Sequence, residues 1–318
     1  MPSLLHTRRR RLLSLFVIFL FSALLLWLFW DCAVWDTIAI HAIRSPAHAQ
    51  DAVSICVAVK DDMDLGEFVN YHLSVGVERI FVYDNGSSPP LSRQLAVFMA
   101  DGVVEYVYAP FFFFKFIAPF IFFRSSVRNT SLRVYGRCLQ KARRDKFAWM
   151  AFIDADEYIV LTSQQNETIS QVFRRFRDHG GVELYWKLFA SSGHVKRPET
   201  GVLKSYTKCG STSITKSVVN VKHTIKESDN VHYFIYQKDH PAVNEKGQLR
   251  TSDTNFKSFD DVYINHYCTR SYEDMLAKVR RGTGTSKRRF DYFYWAENIA
   301  TDTCPILKPR TTKYTKYS

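Results

Sequence analysis

The sequence predicts an α/β domain with a mostly parallel sheet, preceded by one N-terminal membrane anchor. Three observations lead there. Short β-branched runs alternate with helix-period stretches from about residue 53, the strand-like runs end in polar clusters, and one uncharged apolar stretch precedes them all. Strands alternating with helices imply βαβ crossovers, which cover a parallel sheet on both faces. With 318 residues, 46% hydrophobic content, 13 Gly and 10 Pro, the chain has the apolar material of a packed globule.

In chain order, residues 1–11 end in the basic block Arg8 to Arg11 and read as a cytoplasmic tail. Leu12 to Trp30 carry no charge, and at about 1.5 Å per residue they are long enough to span a bilayer. "LLLWLFWDC" offers no small-residue cleavage site, so residues 12–30 read as an uncleaved anchor. Arginines before it, with Asp31 and Asp36 after it, orient the bulk of the chain to the lumen: a single-pass type II protein of the Golgi or ER membrane. Residues 31–51 are a polar stem, 52–300 the main domain and 301–318 a C-terminal tail. The sequons at Asn85, Asn129 and Asn166 add little. Cys32, Cys56, Cys138, Cys209, Cys268 and Cys304 show no zinc spacing and leave their pairing open. A net charge of +12 suits phosphates or an anionic surface, or is a solvated basic face; the anchor and the lack of a recognition motif argue against nucleic acid.

"VSICVAV" (53–59) is a strand of buried type, and Asp64 with Glu67 three residues on has the pattern of a capping box. The helix that follows places Leu65, Phe68, Val69 and His72 on one face and stops near Gly76. "RIFVY" (79–83) leads into the turn "DNGSSPP". A helix around 91–100, the strand "VVEYVY", a helix near 131–144 and the strand "AWMAFI" continue the rhythm. "FFFFKFIAPFIFFRSS" (111–126) breaks it. Interrupted by Lys115 and Pro119, this segment reads as a core loop, an interfacial segment or a lid over an apolar acceptor.

Ligands of open parallel sheets bind beyond the carboxyl ends of the strands. Three such ends, "KDDMD" (60–64), "DNGSS" (84–88) and "DADE" (154–157), would gather Asp61, Asp62, Asp84, Asn85, Asp154 and Asp156 at one edge. Like charges this close repel, and burying them unpaired is costly. A crowd of carboxylates without a Cys or His cluster suits Mg²⁺ or Mn²⁺ completed by substrate phosphates; ordinary Asp-rich loops have the same composition.

Four stretches occur in order from about Val53 to Gly282: "VAVKDDMDLGEFVNYHLSVGVERIFVYDNGSS", "FIDADEYIV", "WKLFASSGH" and "INHYCTRSYEDMLAKVRRG". Together they resemble glycosyltransferase family 92 and related family 2-like glycosyltransferases. The resemblance implies a GT-A fold, a Rossmann-like nucleotide-diphospho-sugar transferase sheet with a D-x-D motif, here Asp154 and Asp156. In that role the pair holds Mn²⁺ or Mg²⁺ against the diphosphate of a nucleotide sugar, UDP-galactose being the implied donor. Lys60 and Asp62 fall at a strand end usually written K-N-E, so Asp61 and Asp62 depart from the family pattern. Asp84 and Asn85 match a "D-N-x-S" turn, implying contact with the uridine half of the donor. Trp186 and His194 match the segment that shapes the donor-sugar and acceptor cleft, although His194 reads equally as a loop histidine bonded to backbone. His266 falls where GT-A enzymes often place a third metal ligand; the alternative is a packed histidine orienting the strand end. Arg270 stands where Lys is more usual, and with Lys278 continues the family string as a cation within reach of a phosphate.

Inverting transfer, which the resemblance also implies, needs a carboxylate to take the proton of the acceptor hydroxyl. Glu183, Asp239, Glu273 and Asp274 are candidates. Of these, Glu273 and Asp274 are the expected bases, and both also read as first-turn helix charges favoured by the dipole. The expected activity is metal-dependent transfer of a sugar onto a glycan acceptor. One rival is a non-catalytic nucleotide- or glycan-binding protein on the same fold. Another is a metal-dependent phosphoesterase, which would need a second metal cluster or a phosphoryl-accepting nucleophile.

Overall fold

The computed structural model describes residues 51–109, 130–162, 167–249, 257–282 and 290–315. The predicted anchor at 12–30, the stem before Asp51 and the aromatic segment at 111–126 lie outside the described residues. Among the described residues, no helix is long and apolar enough to cross a membrane.

The first half follows the predicted alternation: β1 (Val53–Val59), α1 (Leu65–Ser74), β2 (Arg79–Asp84), α2 (Ser92–Ala100), β3 (Val104–Tyr108), α3 (Thr130–Arg144) and β4 (Trp149–Phe152). β1 pairs in parallel with β2 on one side and β4 on the other, and β2 pairs in parallel with β3. Strand order therefore reverses between β1 and β4, the switch point at which open sheets form a crevice.

The second half is mixed, which corrects the expectation of a mostly parallel sheet. It comprises β5 (Glu157–Leu161), α4 (Ile169–Arg174), β6 (Gly181–Phe189), α5 (Val202–Ser205), β7 (Lys208–Asn220), β8 (Thr224–Glu227), β9 (Phe234–Tyr236), β10 (Ala242–Val243), β11 (Val262–His266), α6 (Tyr272–Arg281), α7 (Asp291–Ile299) and β12 (Asp302–Thr303). The main sheet runs β3-β2-β1-β4-β7-β6-β11-β5, with β7 antiparallel to both neighbours and β5 antiparallel to β11. Helices α4 and α5, six and four residues long, are too short for crossovers that cover a parallel face. Two reversals around β7 nevertheless bring β6 and β11 back into the direction of β4. The carboxyl ends of β1, β2, β4, β6 and β11 thus share one edge.

The predicted face of α1 is buried: Leu65, Phe68, Val69 and His72 have no exposure. His72 is fully satisfied as a neutral ring, with Nδ1–H donating to the Phe68 carbonyl at 2.8 Å and Nε2 accepting from the Ile159 amide at 3.2 Å. Burial pushes its pKa down to about 3. The expected capping box at Asp64 and Glu67 does not form. Asp64 turns instead to Arg197 and Arg270, and Glu67 accepts from the Val202 and Leu203 amides, so distant charges and donors win over the local pattern.

Two disulfides pin this frame: Cys56–Cys138 joins β1 to α3, and Cys209–Cys304 joins β7 to the C-terminal segment. Cys268 is buried and outside both bridges. Residues 301–315, expected as a tail, pack onto the domain. β12 pairs with β7, the Arg310 amide donates to Ser74 Oγ at 3.2 Å, Thr312 Oγ1 donates to Asn70 Oδ1 at 2.8 Å, and Tyr314 lies 4.9 Å from Phe98, ring to ring.

Candidate functional site

The loops leaving β1 and β2 are knitted together at the shared edge. The Asp61 amide donates to Ser87 Oγ at 2.7 Å, and the Ser88 amide donates to Asp61 Oδ1 at 3.0 Å. Asp84, with no exposure, accepts from the Ser87 and Leu91 amides and from Tyr106 Oη at 2.7, 3.1 and 2.6 Å, which fixes the turn from inside. Asn85 is half-buried, its amide bonded to the Val59 carbonyl at 2.8 Å, and Lys60 is half-buried at the end of β1.

Arg270 ties three strand ends together. Its guanidinium straddles Asp62, 3.1 Å to each oxygen, donates to Asp64 at 2.6 Å, and reaches the Ala155 carbonyl at 3.5 Å. Arg197 bridges Asp64 to Asp274, so the start of α6 is held to the loop after β1. A buried charge survives only with partners of this quality. Among the described residues, the carboxylates at Asp62 and Asp64 are neutralised by these arginines.

Asp154 and Asp156 stand at the crevice beyond β4. Lys216, 1% exposed, comes from β7 to place its ammonium 2.9 Å from Asp154 Oδ2 and 3.6 Å from Glu157 Oε2. Lys278 of α6 donates to Asp156 Oδ2 and to the Cys268 carbonyl, and His266 Nε2 lies 3.5 Å from Asp156 Oδ1. Burial opposes ionisation of Asp156, but Lys278 and His266 hold its carboxyl well below the usual range. Burial dominates at Glu157 and pushes its carboxyl up, with Lys216 a partial offset. For His266, burial lowers the pKa, so the ring is neutral at pH 7. Trp186 packs against it at 4.1 Å.

His194 Nε2 lies 3.0 Å from the Ser205 carbonyl, the backbone bond of a loop histidine. Ser271 and Asp274 form a true capping box at α6. Asp274 therefore serves the helix and Arg197, while Glu273 accepts from Lys196 Nζ at 3.2 Å and the Arg197 amide at 3.0 Å. Glu183 is buried on β6, 3.4 Å from Thr215 Oγ1. Asp239 falls in the loop before His240, at the opposite edge of the sheet. Lys216, Arg197 and Asp64 are the members of this edge that sequence reasoning missed. Lys216 left one trace, a lysine inside the strand-like run "SITKSVVN".

Two carboxylates and a neutral imidazole suit a hard divalent ion in kind. The buried Nδ1 of His266 and Nε1 of Trp186, both without a hydrogen-bond partner among the described residues, are polar atoms that a ligand at this edge could satisfy. One oxygen of each aspartate is taken by a lysine, and among the described residues no three His, Cys, Asp or Glu side chains are gathered as a ready-made cage.

The family model for glycosyltransferase family 92 matches residues 51–299. A glycosyltransferase family 92 protein of Ricinus communis is 26% identical over 228 residues, 70% of this chain and 36% of the relative. One of Oryza sativa subsp. japonica is 25% identical over 170 residues, 52% of this chain and 25% of the relative. The matches thus span about a quarter to a third of those relatives' lengths. A crystal structure of S. aureus TarS 1–349 superposes at a TM-score of 0.31 with 10% identity, covering 72% of this chain and 64% of that one, too loosely to carry an argument.

Proposed function

This chain belongs to glycosyltransferase family 92, and from that premise we propose that its shared sheet edge transfers a sugar from a nucleotide donor to a glycan acceptor. The supporting observation is the convergence of Asp154, Asp156 and His266 with Lys216 and Lys278 beyond the switch point of the sheet. Under this reading the crevice is a GT-A site and Asp154 and Asp156 its D-x-D pair. Asp154, Asp156 and His266 would hold Mn²⁺ or Mg²⁺, which when bound supplies positive charge to a departing nucleoside diphosphate.

The chain's own cations act at the same place. Lys278 and Lys216 keep the two aspartates ionised, and Arg270 with Arg197 fixes the loop after β1 so that Lys60 and Asn85 border the crevice. Trp186 packs His266 from one side and limits the space for a donor sugar. UDP-galactose is the proposed donor, with inversion of configuration, and residues 12–30 the proposed anchor that places the domain in the lumen of the Golgi or ER. One observation favours the rival, a nucleotide- or glycan-binding protein without catalysis: Asp274 is committed to its helix cap and Glu273 to Lys196, so neither candidate base is unengaged.

The deciding assay is release of nucleoside diphosphate from a panel of nucleotide sugars, with and without Mn²⁺, beside Asp156→Ala. Metal-dependent release from one donor, lost in the variant, supports the transferase. Silence from every donor, with nucleotide still bound by calorimetry, moves the chain to the rival.

A further inference from the structure

A cavity of about 680 Å³ opens at the other edge of the sheet, where β1 and β4 begin and β7 ends. Glycosyl transfer at the crevice leaves it unused. Its wall carries four basic side chains, Lys146, Arg174, Arg177 and Lys222, against the carboxylates of Asp51 and Asp178. Asp51 is already paired with Arg174 at 2.6 Å. Among the described residues, Lys146, Arg177 and Lys222 have no ion-pair partner, and all three are exposed.

Stacked imidazoles complete the lining. His223 and His240 lie face to face, ring centroids 3.6 Å apart and 19° from parallel. His240 Nδ1–H donates to the Asp178 carbonyl at 2.7 Å, and His223 Nδ1 pairs with Gln237 Oε1 at 3.1 Å. Each ring is thus fixed through Nδ1, and among the described residues neither Nε2 has a protein partner. His223 is only 6% exposed, a buried polar ring with one nitrogen unused. Backbone packing holds the pair in place. The Gly180 amide donates to the Pro241 carbonyl at 3.1 Å, and a Cβ on Gly180 would meet the His240 carbonyl at 2.2 Å, so only glycine lets this loop close onto β6.

Unpaired cations around a concave site, one of them a guanidinium able to bond two oxygens at once, beside two imidazoles whose Nε2 atoms have no protein partner among the described residues, are complementary to a compact anion with several oxygens. We infer that this cavity binds a phosphate- or sulfate-class oxyanion, independently of the transfer crevice. A phosphomonoester headgroup is one source of the oxyanion, and a free anion the other.

Calorimetric titration of the full chain in detergent distinguishes them, using sodium sulfate and, separately, water-soluble dihexanoyl phosphatidate. Ionic strength is held with chloride, and the Asp156→Ala variant reports any contribution from the transfer crevice. Saturable one-to-one binding is expected, weakened about tenfold or more by Arg177→Glu/Lys222→Glu and unchanged by Asp156→Ala. Both charge reversals lie on exposed side chains, and the melting temperature without anion shows whether the variant folds. Lys222→Gln, which removes one charge without reversing it, weakens binding about threefold or more. Tighter binding of phosphatidate assigns the headgroup, and equal binding assigns the free oxyanion. Absence of saturable binding by either, or equal affinity in wild type and the double variant, overturns the inference.

Discussion

Replacing Lys216→Met keeps most of the side chain's volume and deletes an ammonium 2.9 Å from Asp154 and 3.6 Å from Glu157. At an effective dielectric of about 20, the attraction to Asp154 is worth roughly 6 kcal/mol before desolvation, and that to Glu157, whose carboxyl burial pushes up, less than the roughly 5 kcal/mol of a full ion pair. Half of the Asp154 side chain is exposed, so water screens its share and rehydrates it once the lysine is gone. Glu157 has no exposure, and with burial already pushing its carboxyl up it takes up a proton once the lysine is gone. The net loss is then about 3 kcal/mol, the low end of what breaking a buried pair costs. In a domain of this size that lowers the melting temperature by roughly 6–12 °C. Adding Glu157→Gln removes the need for that proton while keeping an acceptor for the Asp154 amide, and should recover part of the loss. Scanning calorimetry of the full chain at pH 7.5 reads both numbers. A single variant melting within about 2 °C of wild type, or a double variant no more stable than the single, would refute the claim that Lys216 neutralises this corner.

Arg270→Lys should cost about 2–4 kcal/mol in urea denaturation, because an ammonium cannot span both oxygens of Asp62 and still reach Asp64; an unchanged midpoint would mean that charge alone suffices. His72 should make the domain acid-sensitive. Its folded pKa is about 3 against an unfolded value of 6.5, so the unfolded chain takes up a proton that the native ring refuses as pH falls through that window. Between pH 6.5 and 5 this one ring costs about 2 kcal/mol, and His72→Gln should flatten the fall in melting temperature with pH; parallel slopes in the two proteins would exclude it.

What could be read from the sequence was local. Strand runs from Val53 to Phe152 carry β-branched residues between helix-period stretches, and a short strand's polar end needs no tertiary information to be recognised, so the carboxylates at one sheet edge are legible. Their partners are not. Lys216 lies 62 residues from Asp154, and Arg197 lies 133 from Asp64, brought together only by the reversal of β7 and the loop after β6. The same cause defeats the capping box at Asp64 and Glu67, a pattern of short range overruled by arginines and amides from far along the chain. At Ser271 and Asp274 the local rule holds even though Tyr206 Oη also accepts from the Ser271 amide at 3.0 Å and Arg197 also pairs with Asp274. A tail without periodicity gave no sign that Cys304 would anchor it or that Tyr314 would find Phe98.

That returning segment also sets a schedule for biosynthesis. Arg310, Thr312 and Tyr314 settle on Ser74, Asn70 and Phe98, which leave the ribosome early. At about 5–20 residues per second, the interval between completing α1 and delivering Arg310 is roughly 10–50 s. Throughout it, the nascent chain exposes surface that only residues made more than two hundred positions later can cover, a long opening for chaperones and for wrong partners alike.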